Sequence, residues 1–283
     1  MSASPLIDAR ELAGLLGQPD VRIIDCRFTL SEPDAGRRGY ERAHIPGASY
    51  AHLDDDLAGD VTDTSGRHPL PAPAQFARTL GDWGVTPQTL VVAYDEGPGA
   101  VASRLWWLLG WVGHERRRVL DGGLAAWRQQ GLPLDAGKDS RGTHGAPYPV
   151  DPDREREVDA AGVIAALQAG AAVLDARARE RFIGLKEPID AVAGHIPGAL
   201  NHPFTENVGD DGCLLAPAEL ARRYRARLAH YPGKPIAMCG SGVTACHISL
   251  AMAVAGLPEP RLYVGSWSHW IRDAERPIAS GAD

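Results

Sequence analysis

Short apolar runs alternate with longer, helix-like stretches along the whole chain. Runs such as Val21–Arg27 and Leu90–Asp95 have the length of a strand, and apolar runs this short are typical of sheets buried on both faces. The stretches Asp8–Leu16 and Asp159–Leu167 have helical length and begin at aspartate, a favoured N-cap residue. The alternation predicts an α/β fold with mostly parallel sheets that carry helices on both faces.

The pattern occurs twice along the chain. The segment Ala43–Ala48 recurs as Gly194–Ala199, and both contain His-Ile-Pro-Gly-Ala. An apolar run ending in aspartate precedes each copy, and the spacing from that residue to the histidine is 19 residues for Asp25 and 20 for Asp175. A repeat that keeps its register in this way indicates a duplicated unit.

The duplication continues to the end of each half. Leu90–Asp95 aligns with Pro235–Cys239, both runs open into a glycine-rich turn, and residues 120–127 match residues 263–270. Asp95 thus stands where the second half has a cysteine. Since a carboxylate cannot perform thiol chemistry, the first half is predicted to be an inactive copy.

Length and composition agree with two domains. At about 150 residues per domain, a chain of 283 residues suggests two. Residues 138–157 carry three prolines and many charges without an apolar period, as a linker does. We therefore predict an N-terminal domain at residues 1–137 and a C-terminal domain at residues 158–283.

The net charge of −7 gives the molecule no overall attraction for nucleic acid or anionic lipid, so neither is expected as a partner. No apolar run approaches the roughly 18 residues that span a membrane. Residues Met1–Leu6 lack the basic and apolar regions of a signal peptide. The expected location is the cytoplasm.

The cysteines form no Cys-x-x-Cys pair, and no His/Cys cluster has zinc spacing. Free thiols are expected, because so few cysteines in a long chain do not indicate a disulfide scaffold. No metal or cofactor is implied. The four are Cys26, Cys213, Cys239 and Cys246.

Cys239 stands at a predicted junction between a strand and a helix. It opens the loop Cys-Gly-Ser-Gly-Val-Thr, whose glycines allow the backbone to curl. A curled loop at a helix N-terminus directs its N–H groups at one point and stabilises an anion there, such as a thiolate or persulfide. We interpret Cys239 as a reactive nucleophile and Ser241 as a hydroxyl that donates to the sulfur or the substrate.

A cysteine-based phosphatase also uses a cysteine loop at a helix N-terminus. That chemistry requires Cys-x5-Arg, because the arginine holds the phosphate oxygens. Here Thr244 and then Ala245 stand at that distance from Cys239. The sequence therefore disfavours a phosphatase.

The chain resembles the two-domain rhodanese superfamily of sulfurtransferases over nearly its whole length. The resemblance rests on both His-Ile-Pro-Gly-Ala segments, on Asp121–Trp127, on Gly265–Trp267 and on the loop Cys239–Thr244. It implies two tandem rhodanese-like domains with the catalytic cysteine in the second. The loop is similar to that of members that use 3-mercaptopyruvate, whereas thiosulfate-preferring members have Arg and Lys after the cysteine.

The resemblance also implies roles for residues outside the loop. In this family an arginine in an Arg-Phe-x-Gly context binds the anionic end of the donor, which implies that role for Arg181. An aspartate and a histidine of the N-terminal domain work with the loop serine, which implies Asp34 (by a one-residue shift) and His44. The alternative for His44 is a turn-stabilising role, since His195 occupies the same motif. The loop residues implied in substrate binding are Gly240, Gly242, Val243 and Thr244.

One expected residue is absent. Animal members that use mercaptopyruvate carry a second substrate arginine shortly before the second His-Ile-Pro-Gly, and Glu187–Ala191 contains none.

The implied reaction is ping-pong. Cys239 takes sulfur from a small anionic donor and passes it to cyanide, a small thiol or a thioredoxin-like protein thiol. Thiosulfate as donor, and a persulfide carrier or redox-responsive binding module without turnover, stay open as alternatives.

Overall fold

A computed structural model describes residues 4–138 and 145–281, which form two compact units. The boundary between Asp153 and Arg154 lies inside the predicted linker, of which residues 139–144 are outside the described residues. Each unit also contains one short segment from the other half of the sequence. Asp60–Pro69 belongs to the second unit, and Gly209–Leu214 belongs to the first.

The first unit is built on a five-stranded parallel sheet. Its strands are β1 (Leu6–Ile7), β2 (Val21–Asp25), β3 (Ser49–Tyr50), β4 (Leu90–Tyr94) and β5 (Arg117–Leu120). They lie in the order β1-β5-β4-β2-β3, which places β4 at the centre. The helices are α1 (Ala9–Ala13), α2 (Ala35–Arg42), α3 (Leu53–Asp56), α4 (Pro73–Asp82), α5 (Ala102–Trp111) and α6 (Gly123–Gln129).

The second unit repeats this topology. Its strands are β6 (Glu157–Val158), β7 (Val173–Asp175), β8 (Leu200–Asn201), β9 (Ile236–Met238) and β10 (Arg261–Tyr263). They are all parallel in the order β6-β10-β9-β7-β8, so β9 takes the central place of β4. The helices are α7 (Ala160–Gln168), α8 (Arg179–Phe182), α9 (Pro217–Leu228), α10 (Ala245–Val254) and α11 (Ser266–Trp270), and 3-10 turns lie at Arg154–Arg156 and Phe204–Asn207.

These sheets confirm the predicted tandem α/β fold. The two aspartates expected to cap helices do so, since Asp8 accepts from the N–H of Glu11 and Asp159 from that of Gly162, both at 2.8 Å. The second sheet begins earlier than the sequence suggests. Strand β6 starts at residue 157, the last position of the predicted linker.

The repeated Asp-x-Arg pattern has a structural cause. Asp25 pairs with Arg27 and Asp175 with Arg177, each through an Nη2–Oδ2 contact of 2.6 Å. In both units the same arginine nitrogen donates to the carbonyl that precedes the His-Ile-Pro-Gly turn, at 2.7 and 2.8 Å. The buried ion pair therefore fixes the turn against the end of its strand.

None of the helices within residues 4–138 and 145–281 has the length and apolar character needed to cross a membrane.

Candidate active site

Cys239 directly follows β9 and is buried, with 2% of its surface exposed. Its loop leads into α10, of which Thr244 is the N-cap residue. The N–H of Gly242 donates to Cys239 Sγ at 3.1 Å, and the N–H of Cys239 itself donates to Ser266 Oγ at 3.1 Å. The sulfur thus lies inside the curled loop, at the central strand and next to a helix N-terminus, as the sequence predicted.

The loop keeps this shape through its glycine and through α11. Gly242 has a φ of +78°, and a Cβ at this position would lie 2.5 Å from the carbonyl oxygen of Val264, so only glycine fits without strain. On the other side, the first residues of α11 bind the loop, because Trp267 and Ser268 donate to the carbonyls of Cys239 and Gly240 at 3.0 and 2.9 Å.

Val243 completes the loop. It is buried, with 6% of its surface exposed, so it contributes packing rather than an exposed contact.

Ser241 is paired with a histidine that the sequence reasoning did not find. His68 Nδ1 lies 2.7 Å from Ser241 Oγ, and both side chains are buried. His68 belongs to the segment Asp60–Pro69, which we call the strap and which is part of the second unit. The pair can transfer a proton next to the cysteine, because a ring nitrogen of His68 is within hydrogen-bond distance of the Ser241 hydroxyl, which belongs to the same loop as Cys239.

The strap is fixed against α11. Gly66 packs so closely that a Cβ on it would lie 2.4 Å from the carbonyl oxygen of Gly265, and the N–H of Arg67 donates to Ser268 Oγ at 3.0 Å. Because these contacts fix the two residues before His68, they also limit where the His68 side chain can lie.

Arg181 follows the turn after β7 and lies in α8. Its Nε donates to both oxygens of Glu187 at 2.9 Å, and its Nη2 donates to Asp190 Oδ2 at 2.8 Å. Burial alone would raise the pKa of Glu187, but the hydrogen bonds and charge of Arg181 outweigh it and hold that pKa below its ordinary value. Glu187 is therefore a charged partner that fixes the guanidinium plane of Arg181.

In the first unit Asp95 occupies the position after β4. Its carboxylate accepts hydrogen bonds from four backbone N–H groups, those of Gly97, Gly99, Val101 and Ala102, at 2.8 to 3.1 Å. The Asp95 side chain thus fills the cradle that such a loop forms.

His44 lies in the first unit and holds a turn. Its Nδ1 lies 2.7 Å from the carbonyl oxygen of Tyr40, and the two rings stack at 3.9 Å. His195 makes the matching contacts in the second unit. Its Nδ1 lies 2.8 Å from the carbonyl oxygen of Phe182, and the two ring centroids are 3.8 Å apart. The structure thus shows the contacts that the turn-stabilising alternative requires, and a catalytic role for His44 stays a prediction.

Asp34 precedes α2 and is exposed. Its side chain makes no capping hydrogen bond to that helix. Its predicted catalytic role also stays a prediction.

The other three thiols lie outside the position that follows β9. Burial, and then the charges of nearby aspartates, raise the pKa of Cys26 well above its ordinary value. The same causes raise the pKa of the half-buried Cys213 to about 11. Cys246 is buried in α10 and its thiol faces the carbonyl of Gly242 at 3.3 Å.

The sequence reasoning missed His68 because no periodic pattern connects it with the loop. His68 and Ser241 are 173 positions apart. The only signal was a polar, glycine-containing segment in the first half, which reads as an ordinary surface loop.

Residues 8–130 and 159–273 match the family described as Rhodanese-like domain. A Pseudomonas aeruginosa protein named "Probable 3-mercaptopyruvate sulfurtransferase" is 50% identical over 99% of this chain and 100% of its own length. A Mycobacterium tuberculosis protein, SseB, named for thiosulfate sulfurtransferase activity, is 40% identical over 98% of this chain and 97% of its own. The crystal structure of SseA from Escherichia coli, described with the 3-mercaptopyruvate sulfotransferases, superposes with a TM-score of 0.79 at 32% identity, covering 94% of this chain and all of that one.

Proposed function

Because this chain belongs to the rhodanese family of sulfurtransferases, we propose that it moves a sulfane sulfur from 3-mercaptopyruvate through a Cys239 persulfide to a thiol or cyanide. The observation that carries the proposal is the loop itself. Cys239 opens the loop that leads into the N-terminal end of α10, and a backbone N–H is directed at its sulfur. Gly240 and Ser241 follow it instead of two cations. The full-length similarity to proteins named for this activity supports it.

In the first half-reaction the Cys239 thiolate attacks the donor sulfur. The S–S bond forms, the C–S bond breaks, and pyruvate leaves as its enolate. The proton of the donor thiol is transferred to the methylene carbon of the enolate, which becomes the methyl group of pyruvate. Ser241 and His68 are the pair that relays this proton, because they share a hydrogen bond of 2.7 Å beside the sulfur.

In the second half-reaction a nucleophile removes the outer sulfur. Cyanide attacks it, the S–S bond breaks, and thiocyanate leaves while Cys239 returns to the thiolate. A small thiol or a thioredoxin-like protein thiol takes the same place as acceptor. The Gly242 N–H stabilises the sulfur anion in both enzyme forms, which is electrostatic stabilisation by a preorganised donor.

We also propose that each chain has one active site and that the protein acts in the cytoplasm. The first proposal is supported by Asp95, whose carboxylate fills the corresponding loop of the first unit. The second is supported by cysteines that are free in the described residues, as a reducing compartment would keep them.

Thiosulfate is the second candidate donor, since a relative at 40% identity is named for that activity. The test compares kcat/KM for both donors with cyanide as acceptor, in wild type and in Cys239→Ser. We expect a preference for 3-mercaptopyruvate and a loss of activity in the variant. A higher kcat/KM for thiosulfate would contradict the proposed donor but not the persulfide mechanism. Activity in Cys239→Ser would contradict the mechanism itself.

A further inference from the structure

Ser268 contacts both segments that carry the pair formed by His68 and Ser241. Its N–H donates to the carbonyl of Gly240 at 2.9 Å, and Gly240 directly precedes Ser241 in the loop of the reactive cysteine. Its Oγ accepts from the N–H of Arg67 at 3.0 Å, and Arg67 directly precedes His68 in the strap. One residue of α11 therefore links the two partners of the 2.7 Å hydrogen bond, each through the residue before it.

The strap depends on such hydrogen bonds because apolar packing does little to hold it. All of its residues are described and none belongs to a helix or strand, and its one branched aliphatic side chain, that of Val61, is 57% exposed. A cavity of about 580 Å³ is lined by residues 64–66 of the strap and by residues 157–159 at the start of the second sheet. Along this cavity the strap lacks the close packing that fixes a core segment, so small shifts of its backbone cost little free energy.

A second tether binds the strap further from the histidine. Arg272 Nη1 donates to the carbonyls of Thr62 and Asp63 at 3.2 and 3.0 Å, six and five positions before His68. These two hydrogen bonds are exposed to solvent, which weakens their net contribution. The Ser268 contact lies next to His68, so we expect it to determine the position of the ring more strongly.

The duplication of the chain provides an internal comparison for Ser268. Ala125 stands at the matching position of the first unit, and its N–H donates to the carbonyl of Glu96 at 3.0 Å, as that of Ser268 donates to Gly240. The backbone contact is therefore common to both units. Of these two matched positions, only the one in the unit with the reactive cysteine carries a hydroxyl.

We propose that Ser268 is a positioning residue, whose hydroxyl keeps His68 within hydrogen-bond distance of Ser241 while the donor is attacked. Arg272 supports it as the more distant tether. This inference rests on the proposed function, in which the pair of His68 and Ser241 relays a proton while the persulfide forms. Because cyanide removes the outer sulfur without a proton transfer, Ser268 matters for the first half-reaction and not for the second.

The test measures the two half-reactions separately, by rapid mixing and mass spectrometry of quenched samples. In Ser268→Ala, persulfide formation from 3-mercaptopyruvate should slow on the order of tenfold, because the strap loses the hydrogen bond nearest His68. The rate at which cyanide discharges the completed persulfide should not change. Arg272→Ala should show the same pattern with a smaller loss. Unchanged persulfide formation in Ser268→Ala, or equal losses in both half-reactions, would overturn the proposal.

A double-mutant cycle tests whether Ser268 acts through His68. His68→Ala should slow persulfide formation, and adding Ser268→Ala should cause no further loss, since the hydroxyl then has no ring to position. Additive losses would refute the proposal, because they would assign the effect of Ser268 to some other contact.

The same variants separate this inference from the proposed function. Normal persulfide formation in His68→Ala would refute the proton relay, and the role of Ser268 with it. Normal formation in Ser268→Ala beside a slow His68→Ala would refute the role of Ser268 alone. A wrong donor is seen independently, in the wild type, as a higher kcat/KM for thiosulfate.

The matched control is Ser249→Ala. Ser249 is a buried serine of α10 in the same unit, and its Oγ has no hydrogen-bond partner among residues 4–138 and 145–281. Removal of this hydroxyl should leave both half-reactions unchanged. If Ser249→Ala slowed persulfide formation as much as Ser268→Ala, the rate would respond to any buried hydroxyl of the unit, and the assignment of Ser268 would be wrong.

Discussion

A single residue after the central strand distinguishes the two halves of this chain. Cys239 follows β9 and its sulfur accepts one N–H from the loop. Asp95 follows β4 and its two oxygens accept four. Both loops direct backbone N–H groups at the side chain that follows the central strand, but only a thiol can exchange sulfur. At this scale the sequence was informative, because the duplication itself aligned the two residues.

The histidines are where residue-scale prediction was incomplete. The motif pointed to His44, whereas the structure places His68 against Ser241. If Ser241 and His68 act as one proton relay, each single alanine variant should lower kcat/KM for 3-mercaptopyruvate by about 10²-fold or more. The double variant should be little worse than either single one, since groups that act as a unit are not additive. Steady-state kinetics of the four proteins measures this, and additive losses would argue against the relay.

His44→Ala serves as the comparison for that series. If His44 only holds its turn, the variant should lose roughly 1–3 kcal/mol of unfolding free energy, because the Tyr40 carbonyl loses its partner, while kcat/KM changes little. Denaturant unfolding and the same kinetic assay decide between the roles. A large loss of kcat/KM without a loss of stability would support a catalytic role for His44.

At the scale of elements, the site consists of a strand, a loop and two helices that hold the loop. The strands, the helix starting at residue 245 and the two aspartate caps follow from local pattern and could be predicted. The positions of α11 and the strap could not. Their contacts with the loop, through Ser266, Ser268 and His68, depend on tertiary packing between distant segments.

Gly242 tests how far the loop geometry determines activity. Gly242→Ala should destabilise the protein and reduce sulfur transfer, because φ is +78° and the new Cβ would lie 2.5 Å from the Val264 oxygen. Gly233→Ala is the matched control, since Gly233 has a φ of +77° and nothing within 4 Å of the added carbon.

Gly233→Ala should lose only the free energy that a left-handed conformation costs a residue with a Cβ, about 1–2 kcal/mol, and should keep its kcat/KM. Thermal unfolding and kinetics of both variants measure the difference. Equal effects on activity would show that the close approach to Val264 is unimportant.

At the scale of the whole molecule, a duplicated fold carries one set of reactive groups. Both sheets have the same strand order, and in each unit the Asp-x-Arg pair binds the His-Ile-Pro-Gly turn of that unit. The repeat therefore includes the whole sheet topology and this local contact. The sequence revealed this duplication and the α/β class. It did not reveal that each unit includes a segment from the other half of the chain. Composition can indicate a linker between two domains, but it cannot indicate which distant segments pack together. The strap is one such segment, and it supplies His68 and Arg67 to the second unit.

The central claim is that Cys239 alone carries the transferred sulfur. The most direct measurement is mass spectrometry of the intact protein and its peptides after reaction with 3-mercaptopyruvate in the absence of acceptor. We predict the mass increment of one sulfur atom per chain, located on the peptide that contains Cys239 and lost on addition of cyanide. An increment on Cys26, Cys213 or Cys246, or an increment that persists in Cys239→Ser, would contradict it.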